Sequence, residues 1–332
     1  MLQRDKKTRE RIATLCDTRA WLARCSTIHP FRSFALRVQV QSRLAFDFAE
    51  PTETIAVILA AHAAGQTIES ETLTLSDGVR MAESVDPVSG ARLLRGPLNG
   101  SVWFEYSAII RLAPRLELPA GVQVAPWSRL PVEVLPYLLP SRYCPVDQFL
   151  RFAAREFGHI APGGARALAI LDWLHVNVDY VHGVSTGTTG AAGTFIDRAG
   201  VCRDFTHLGL TLCRAAGIPA RAVAAYALAL DPPDFHAVFE VFLDGGWWLV
   251  DPTRLAPIGG MVRIAHGRDA ADIAFLTTSG PTVQTGHSVR VTELPVAVLP
   301  FGSSVAPLQK SQLSQAGLDK PSHNPNTVEE AA

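Results

Sequence analysis

The chain has 332 residues and carries 30 Lys+Arg against 31 Asp+Glu, a net charge of −1 that excludes the concentrated basic surface nucleic acid requires. The basic residues are 26 Arg and only 4 Lys, at Lys6, Lys7, Lys310 and Lys320. With no lysine between residues 7 and 310, the core cannot build a P-loop, a kinase-type strand lysine, or a Schiff-base or pyridoxal-phosphate site.

A hydrophobic content of 48% over this length supports a sizeable core and two domains. The five cysteines, Cys16, Cys25, Cys144, Cys202 and Cys213, are odd in number and form no C-x-x-C pair, so they read neither as a disulfide framework nor as a zinc finger. The first 31 residues lack the apolar stretch of a signal peptide, and no apolar run approaches a membrane span. The expected compartment is the reducing cytoplasm.

Residues 1–33 are charged and without a clean period, and are expected to be an N-terminal extension. From Leu36 the pattern alternates. Leu36, Val38, Val40, Leu44, Phe46 and Phe48 share one parity, while Arg37, Gln39, Gln41 and Arg43 hold the other, which predicts a half-buried antiparallel strand. Strand-like runs follow at Thr54–Ala61, Glu71–Leu75 and Ser101–Leu112, separated by Gly, Asp, Pro and Asn turns. Residues 34–115 therefore read as a β-rich N-terminal domain, and 116–140 as a proline-rich connection.

Beyond Cys144-Pro145, apolar Val146, Phe149, Phe152 and Ala153 recur at helical spacing until Gly158. A second helix is predicted over about 165–180, followed by a Gly- and Thr-rich loop, 183–194. The third helix starts near Cys202, stops at Gly217 and is apolar nearly all round, which predicts central burial. Strands are predicted at 220–229, 235–243 and 247–252, the last two joined as a hairpin through Asp244-Gly245-Gly246. A final strand pair is expected near 283–300, and the Ser-, Gln-, Asn- and Pro-rich segment 303–332 is expected to be a disordered polar tail.

Three segments carry residues suited to chemistry. In Ala199-Gly200-Val201-Cys202-Arg203-Asp204, a cysteine opens a helix, where unpaired N–H groups and the helix dipole favour a thiolate. Asp234-Phe235-His236-Ala237 puts a histidine at a strand start, and Leu249-Val250-Asp251-Pro252-Thr253 a carboxylate at the end of the next strand. A thiolate needs a base, and the base needs a group that fixes its tautomer. Cys202, His236 and Asp251 supply these roles in the order used by papain-like thiol enzymes.

The blocks GVCRDFTHLGLTLCRAAGIPARAV (200–223), DFHAVFEVFLDGGWWLVDPT (234–253) and RIAHGRDAADIAFLTTSG (263–280) resemble the bacterial transglutaminase-like family, whose members are described as candidate cysteine proteases. SRYCPVDQF (141–149), LDWLHVNVDYVHG (171–183) and an N-terminal β domain extend the likeness to roughly 34–300. The resemblance implies an α+β fold: a papain-like, transglutaminase-like core in residues 141–302, with the cysteine on a helix packed against an antiparallel sheet bearing His and Asp, and a β-rich domain before it. It also implies Cys202 as nucleophile, His236 as base and Asp251 as orienting carboxylate. Val238 departs from the family, which usually has an aromatic residue after His-Ala; the change is expected at the cleft wall.

Strand arithmetic does not by itself bring His236 to Asp251. A symmetric three-residue loop would set Asp251 opposite Phe239, about 10 Å along the strand from His236 at ~3.3 Å per residue. A Gly245-Gly246 turn would set it opposite Glu240, on the face of His236. The His236–Asp251 contact is thus supplied by the resemblance.

The remaining candidates have plainer readings. Cys213 is core packing and Cys144 structural. His207, five residues after Cys202, is rotated about 140° around the helix and reads as a histidine that packs or supports the site from behind, while His175, His182 and His266 read as satisfied structural histidines. Arg263, Arg268 and Asp269 are expected to form an ordered turn with a salt link, Asp204 to be a helix-start carboxylate, and one of Trp247 and Trp248 to line a cleft. For an oxyanion, the Cys202 N–H is the natural donor; Tyr180, Asn177 and the 183–194 backbone are the options for a second.

The expected activity is thiol-dependent acyl transfer on peptide or carboxamide bonds, chiefly hydrolysis by a protease or amidase. The alternatives are a cross-linking transglutaminase and a non-catalytic peptide-binding module. No cofactor and no metal are expected. A peptide or protein substrate is the expected partner, without nucleic acid or membrane, and the sequence leaves the oligomeric state open.

Overall fold

Residues 35–295 are described in the computed structural model of the chain. The extension 1–33, the tail 303–332, Cys16, Cys25 and all four lysines lie outside the described residues.

The alternation from Leu36 builds β1 (Leu36–Ala56), in which Val38, Val40, Leu44, Phe46 and Phe48 are buried on one face. Its antiparallel partner is the equally long β4 (Arg92–Leu112), with Leu36 opposite Leu112 and Ala56 opposite Leu94. β2 (Gln66–Leu75) and β3 (Ala82–Val85) also pair with β4. The other edge of β1 is occupied by β11 (Leu276–Thr278) and β12 (Thr282–Leu294). Of the strand pair expected near 283–300, β12 is one strand, and residues 296–300 lie outside the described residues. The chain returns to cover β1, a pairing across more than 200 residues for which local pattern carries no signal.

A second antiparallel sheet has the order β10–β7–β8–β9. β7 is Ala220–Ala227, β8 Phe235–Leu243, β9 Gly246–Val250 and β10 Met261–Gly267. Four α-helices accompany it among the described residues: α1 (Leu150–Phe157), α2 (Gly164–Asn177), α3 (Ala191–Asp197) and α4 (Cys202–Ala215). α3 occupies the end of the segment read as a loop. At seven residues it is shorter than the window over which a helical period becomes visible. Short strands β5 (Asp179–Tyr180) and β6 (Ala199–Gly200) run parallel just ahead of α4.

α4 is buried without interruption from Asp204 to Arg214. Its polar residues are accommodated by specific partners, as burial requires. Thr206 Oγ1 donates to the Ala237 carbonyl at 3.0 Å, and Thr211 Oγ1 to the His207 carbonyl at 2.8 Å. Arg214 is 2% exposed; it donates to the carbonyls of Ala220, Leu139 and Arg268 and to the Ser141 hydroxyl. One buried apolar cluster runs from Val38 and Tyr106 in the first sheet through Tyr226 to Leu208 and Leu212 of α4. Tyr226 links the sheets: its hydroxyl donates to the Ile58 carbonyl at 2.6 Å, accepts from Ser42 Oγ at 2.9 Å, and its ring stacks on Tyr106.

Candidate active site

Cys202 is the first residue of α4 and is partly exposed, whereas Cys144 and Cys213 are fully buried. Burial raises the Cys144 thiol and pushes Cys213 up to about 12, so neither is a nucleophile at neutral pH. The helix start is shaped by Asp204, whose Oδ2 accepts from the Val201 N–H at 2.9 Å. This is the expected helix-start role, one half of a capping box. It also explains Gly200: a Cβ there would lie 2.5 Å from the Asp204 Cβ. Arg203 reaches out to the Thr186 carbonyl at 2.7 Å and ties the preceding loop to the same helix end.

His236 lies near the start of β8, 2% exposed, and its Nε2 donates to Asp251 Oδ2 at 3.0 Å. The hairpin geometry makes this contact. Leu243 pairs with Gly246, so the loop is the two residues Asp244-Gly245, at φ 48° and 76°. Positive φ at both positions is the type I′ arrangement, which suits Asp-Gly and matches strand twist. Continuing the observed register one residue past Val250 sets Asp251 against Val238. That is two residues from His236 and on its face, a diagonal neighbour within reach of long side chains. Both expected loops placed the turn too late; no bulge is needed between β8 and β9.

Asp251 is held by several donors besides His236. Thr253 donates from its N–H at 2.9 Å and its hydroxyl at 2.7 Å to Oδ1, and the Ala256 N–H donates to Oδ2 at 3.1 Å. Burial would raise the Asp251 pKa, but His236 and Thr253 outweigh it and hold the carboxyl below its ordinary value. Burial likewise opposes charge on His236; the bond to Asp251 and the adjacent Cys202 prevail and raise the imidazole to about 9. With Nε2 committed to Asp251, Nδ1 is buried without a hydrogen-bond partner and is the nitrogen available to the Cys202 thiol. Thr253 was visible in the sequence as Asp-x-Thr, a spacing that supports an Asx-type turn, although no role was read from it.

Tyr180 completes this corner. β5 sets it opposite Gly200, its ring lies 5.9 Å from that of Phe205, and Cys202 is close by. Burial, then charge on Cys202, raises its pKa. Asn177 is turned away, donating to the Trp173 carbonyl at 2.8 Å.

The other expectations sort themselves by partner. His207 is 1% exposed, stacks on Tyr143 at 4.7 Å, and its Nε2 accepts from the Ala270 N–H at 3.2 Å. Burial lowers its pKa to about 3, so it is a neutral packing histidine. His266 lies beside Arg221 and is lowered by burial to about 4. His175 and His182 are exposed. Arg268 does form a turn salt link, but with Asp272; Asp269 instead accepts from the Tyr143 and Ala271 N–H groups. Arg263 is absent from that turn. It lies on β10 and pairs with Glu240. Val238 is fully buried among Val223, Leu249 and Met261, so it replaces an aromatic in the core and not at a cleft wall.

A family profile described as the transglutaminase-like superfamily matches residues 151–252, the stretch that includes Cys202, His236 and Asp251. A solved structure of a candidate cysteine protease from Cytophaga hutchinsonii is 36% identical, covers 82% of this chain and 95% of its own, and superposes with a TM-score of 0.76. The chain belongs to the transglutaminase-like superfamily. Its α+β architecture, a strand-rich N-terminal region followed by a transglutaminase-like core, is the one expected. Curated relatives are more distant. An uncharacterised Mycobacterium leprae protein is 30% identical over 155 residues, 42% of this chain and 53% of its own. One from Mycobacterium tuberculosis is 27% identical over 143 residues, 39% and 45% respectively. The chain thus spans about half the length of the curated relatives it matches. Among the described residues no helix is long and apolar enough to cross a membrane, and no three His, Cys, Asp or Glu side chains are grouped to hold a metal ion.

Proposed function

We propose that the protein is a thiol hydrolase that cleaves peptide or carboxamide bonds through a thioester on Cys202. One observation carries this reading: a buried imidazole, His236, has one nitrogen held by Asp251 and the other left for a thiol at a helix start. Cys202 gives its thiol proton to His236 Nδ1, and the resulting Sγ thiolate, paired with the imidazolium, attacks the carbonyl carbon. The tetrahedral oxyanion is met by the Cys202 N–H and the Tyr180 hydroxyl. The C–N bond then breaks and the amine leaves with the proton from His236. Water, deprotonated by His236, attacks the thioester; the carboxylic acid departs and the thiol is restored. Asp251 keeps the proton on Nε2 and stabilises the imidazolium.

No cofactor enters these steps. A thiol nucleophile suits a reducing compartment, and we place the enzyme in the cytoplasm on that ground. Transfer of the acyl group to an amine instead of water is the competing outcome, read by supplying a primary amine alongside the peptide.

An electrophilic peptide amide probe at neutral pH, followed by intact-mass and peptide mass spectrometry, tests the proposal. A single adduct on Cys202, absent from His236→Ala and indifferent to chelators, is the expected result. No adduct, or an adduct on Cys144 or Cys213 instead, rejects it.

A further inference from the structure

Four residues along β8 from His236, on the same strand face, Glu240 sits in an arrangement the proposed chemistry does not use. Glu240 is 2% exposed, and both its oxygens are taken: Oε2 by Arg221 Nε at 2.7 Å and Oε1 by Arg263. A third guanidinium, Arg115, enters from the segment after β4 and is fixed by the carbonyls of Ile258 and Met261 at 3.0 and 2.6 Å. These three arginines and Glu240 line one cavity of about 520 Å³, whose remaining wall includes Trp247 and Trp248.

The charge in this cavity does not balance. Glu240 is its one buried carboxylate. Asp244 stands exposed at the rim, with Oδ1 already accepting from the Gln123 N–H. Three cations therefore share a single interior counter-charge, and Arg263 Nε is buried without a hydrogen-bond partner. Unneutralised charge in a partly desolvated space is costly. Burial, then the proximity of Arg263, lowers Arg115 to about 10. A cluster built only to hold the sheet together would need Arg221 and Glu240 and no more.

We propose that this cavity is a binding site for a small organic oxyanion, a carboxylate or phosphate held by Arg115 and Arg263 with its apolar body against Trp247, which shares the sheet face of Glu240. Three features fit that ligand. The volume lies in the range of small-molecule sites, about 300–1,000 Å³. Guanidinium forks match carboxylate and phosphate oxygens in pairs, which ammonium groups do not. The forks are also held before any ligand arrives: Arg221 is packed over the Trp247 ring at 4.0 Å, Arg263 is braced by Glu240, and Arg115 by two carbonyls, so little ordering is left for binding to accomplish. The backbone of Arg263 is further fixed by Gln66, which donates to its carbonyl at 2.9 Å and accepts from its N–H at 2.8 Å.

The test is thermal denaturation and tryptophan fluorescence of the full chain, titrated separately with inorganic phosphate, benzoate and neutral benzamide at ionic strength held constant with sodium chloride. Expected is a saturable rise in Tm of about 2–4 °C at ten times Kd for phosphate or benzoate and none for benzamide. Phosphate alone acting would assign a phosphate headgroup, and benzoate alone a carboxylate. Arg115→Met should weaken binding at least tenfold. Arg263→Lys, which keeps the charge and the fold but loses the fork, should weaken it severalfold. A Tm that responds to neither anion, that follows chloride equally, or that rises undiminished in both variants overturns the proposal. The readout needs no activity, so it stands or falls apart from the thiol reaction.

Discussion

Two buried imidazoles lie close to the start of α4, and the protein treats them oppositely. His236, at the β8–β9 edge, faces a carboxylate and is raised to about 9; His207, inside α4, accepts a backbone N–H and is lowered to about 3. Burial opposes charge on both. What separates them is the partner: Asp251 supplies a full negative charge that stabilises imidazolium, while the Ala270 amide needs a lone pair and so stabilises the neutral ring. Exposure alone would have ranked the two histidines alike, and spacing from Cys202 along the chain would have favoured the wrong one.

The largest expected effect comes from removing the first imidazole. His236→Ala should lower kcat/KM for a peptide amide by about 10⁴-fold or more, with the melting temperature measured alongside to exclude unfolding. A loss of less than tenfold would end the comparison, since His236 would then be only another packing residue. Asp251→Asn should cost about 10³–10⁴-fold and, more tellingly, move the alkaline limb of the pH–rate profile. In the native protein that limb is expected near 9, where His236 loses its proton. Without Asp251 it should move to lower pH; an unmoved limb would assign it to another group.

The same linkage has a stability counterpart. A folded pKa raised above the ordinary 6.5 means that the stabilisation from His236 is complete below pH 6.5 and disappears as pH rises through about 9. The lowered carboxyl of Asp251 acts in the other direction. Its contribution is present above 3.8 and is lost as pH falls through the folded value. Stability from this pair is therefore confined to a window between the two.

Tyr180→Phe sharpens the picture of the same edge. Loss of an oxyanion donor should lower kcat by about 10²-fold with KM little changed; a change in KM alone would make Tyr180 a binding residue. The smallest effect belongs to the second imidazole. His207→Leu leaves the Ala270 N–H without its acceptor and should cost about 1–3 kcal/mol in chemical denaturation, with kcat/KM within a fewfold of native. A collapse in activity without a loss of stability would merge the two histidines into one function.

Much of the candidate site was legible because its signals are local. A cysteine after glycine at a helix start, a histidine opening one strand and a carboxylate closing the next can be read from neighbours alone. The hairpin register was harder. Asp244, Gly245 and Gly246 all tolerate positive φ, so the sequence admits three turns, and only the observed one, Asp244-Gly245, makes Asp251 a diagonal neighbour of His236. Arg263 was assigned to a turn by its proximity in sequence to Arg268, whereas its partner, Glu240, is 23 residues away on another part of the same sheet.

By itself the sequence determined that the core works without lysine, that strand-rich and helical regions follow one another, and which three side chains are suited to thiol chemistry. Composition and short-range period suffice for those statements because they depend on residue type and on neighbours a few positions apart. Tertiary structure alone decided that β12 returns to β1, that His236 rather than His207 meets a carboxylate, and that Arg115 joins Arg221 and Arg263 around one glutamate. Each of these joins residues far apart in the chain, and charge, pKa and register are set by what ends up adjacent in space.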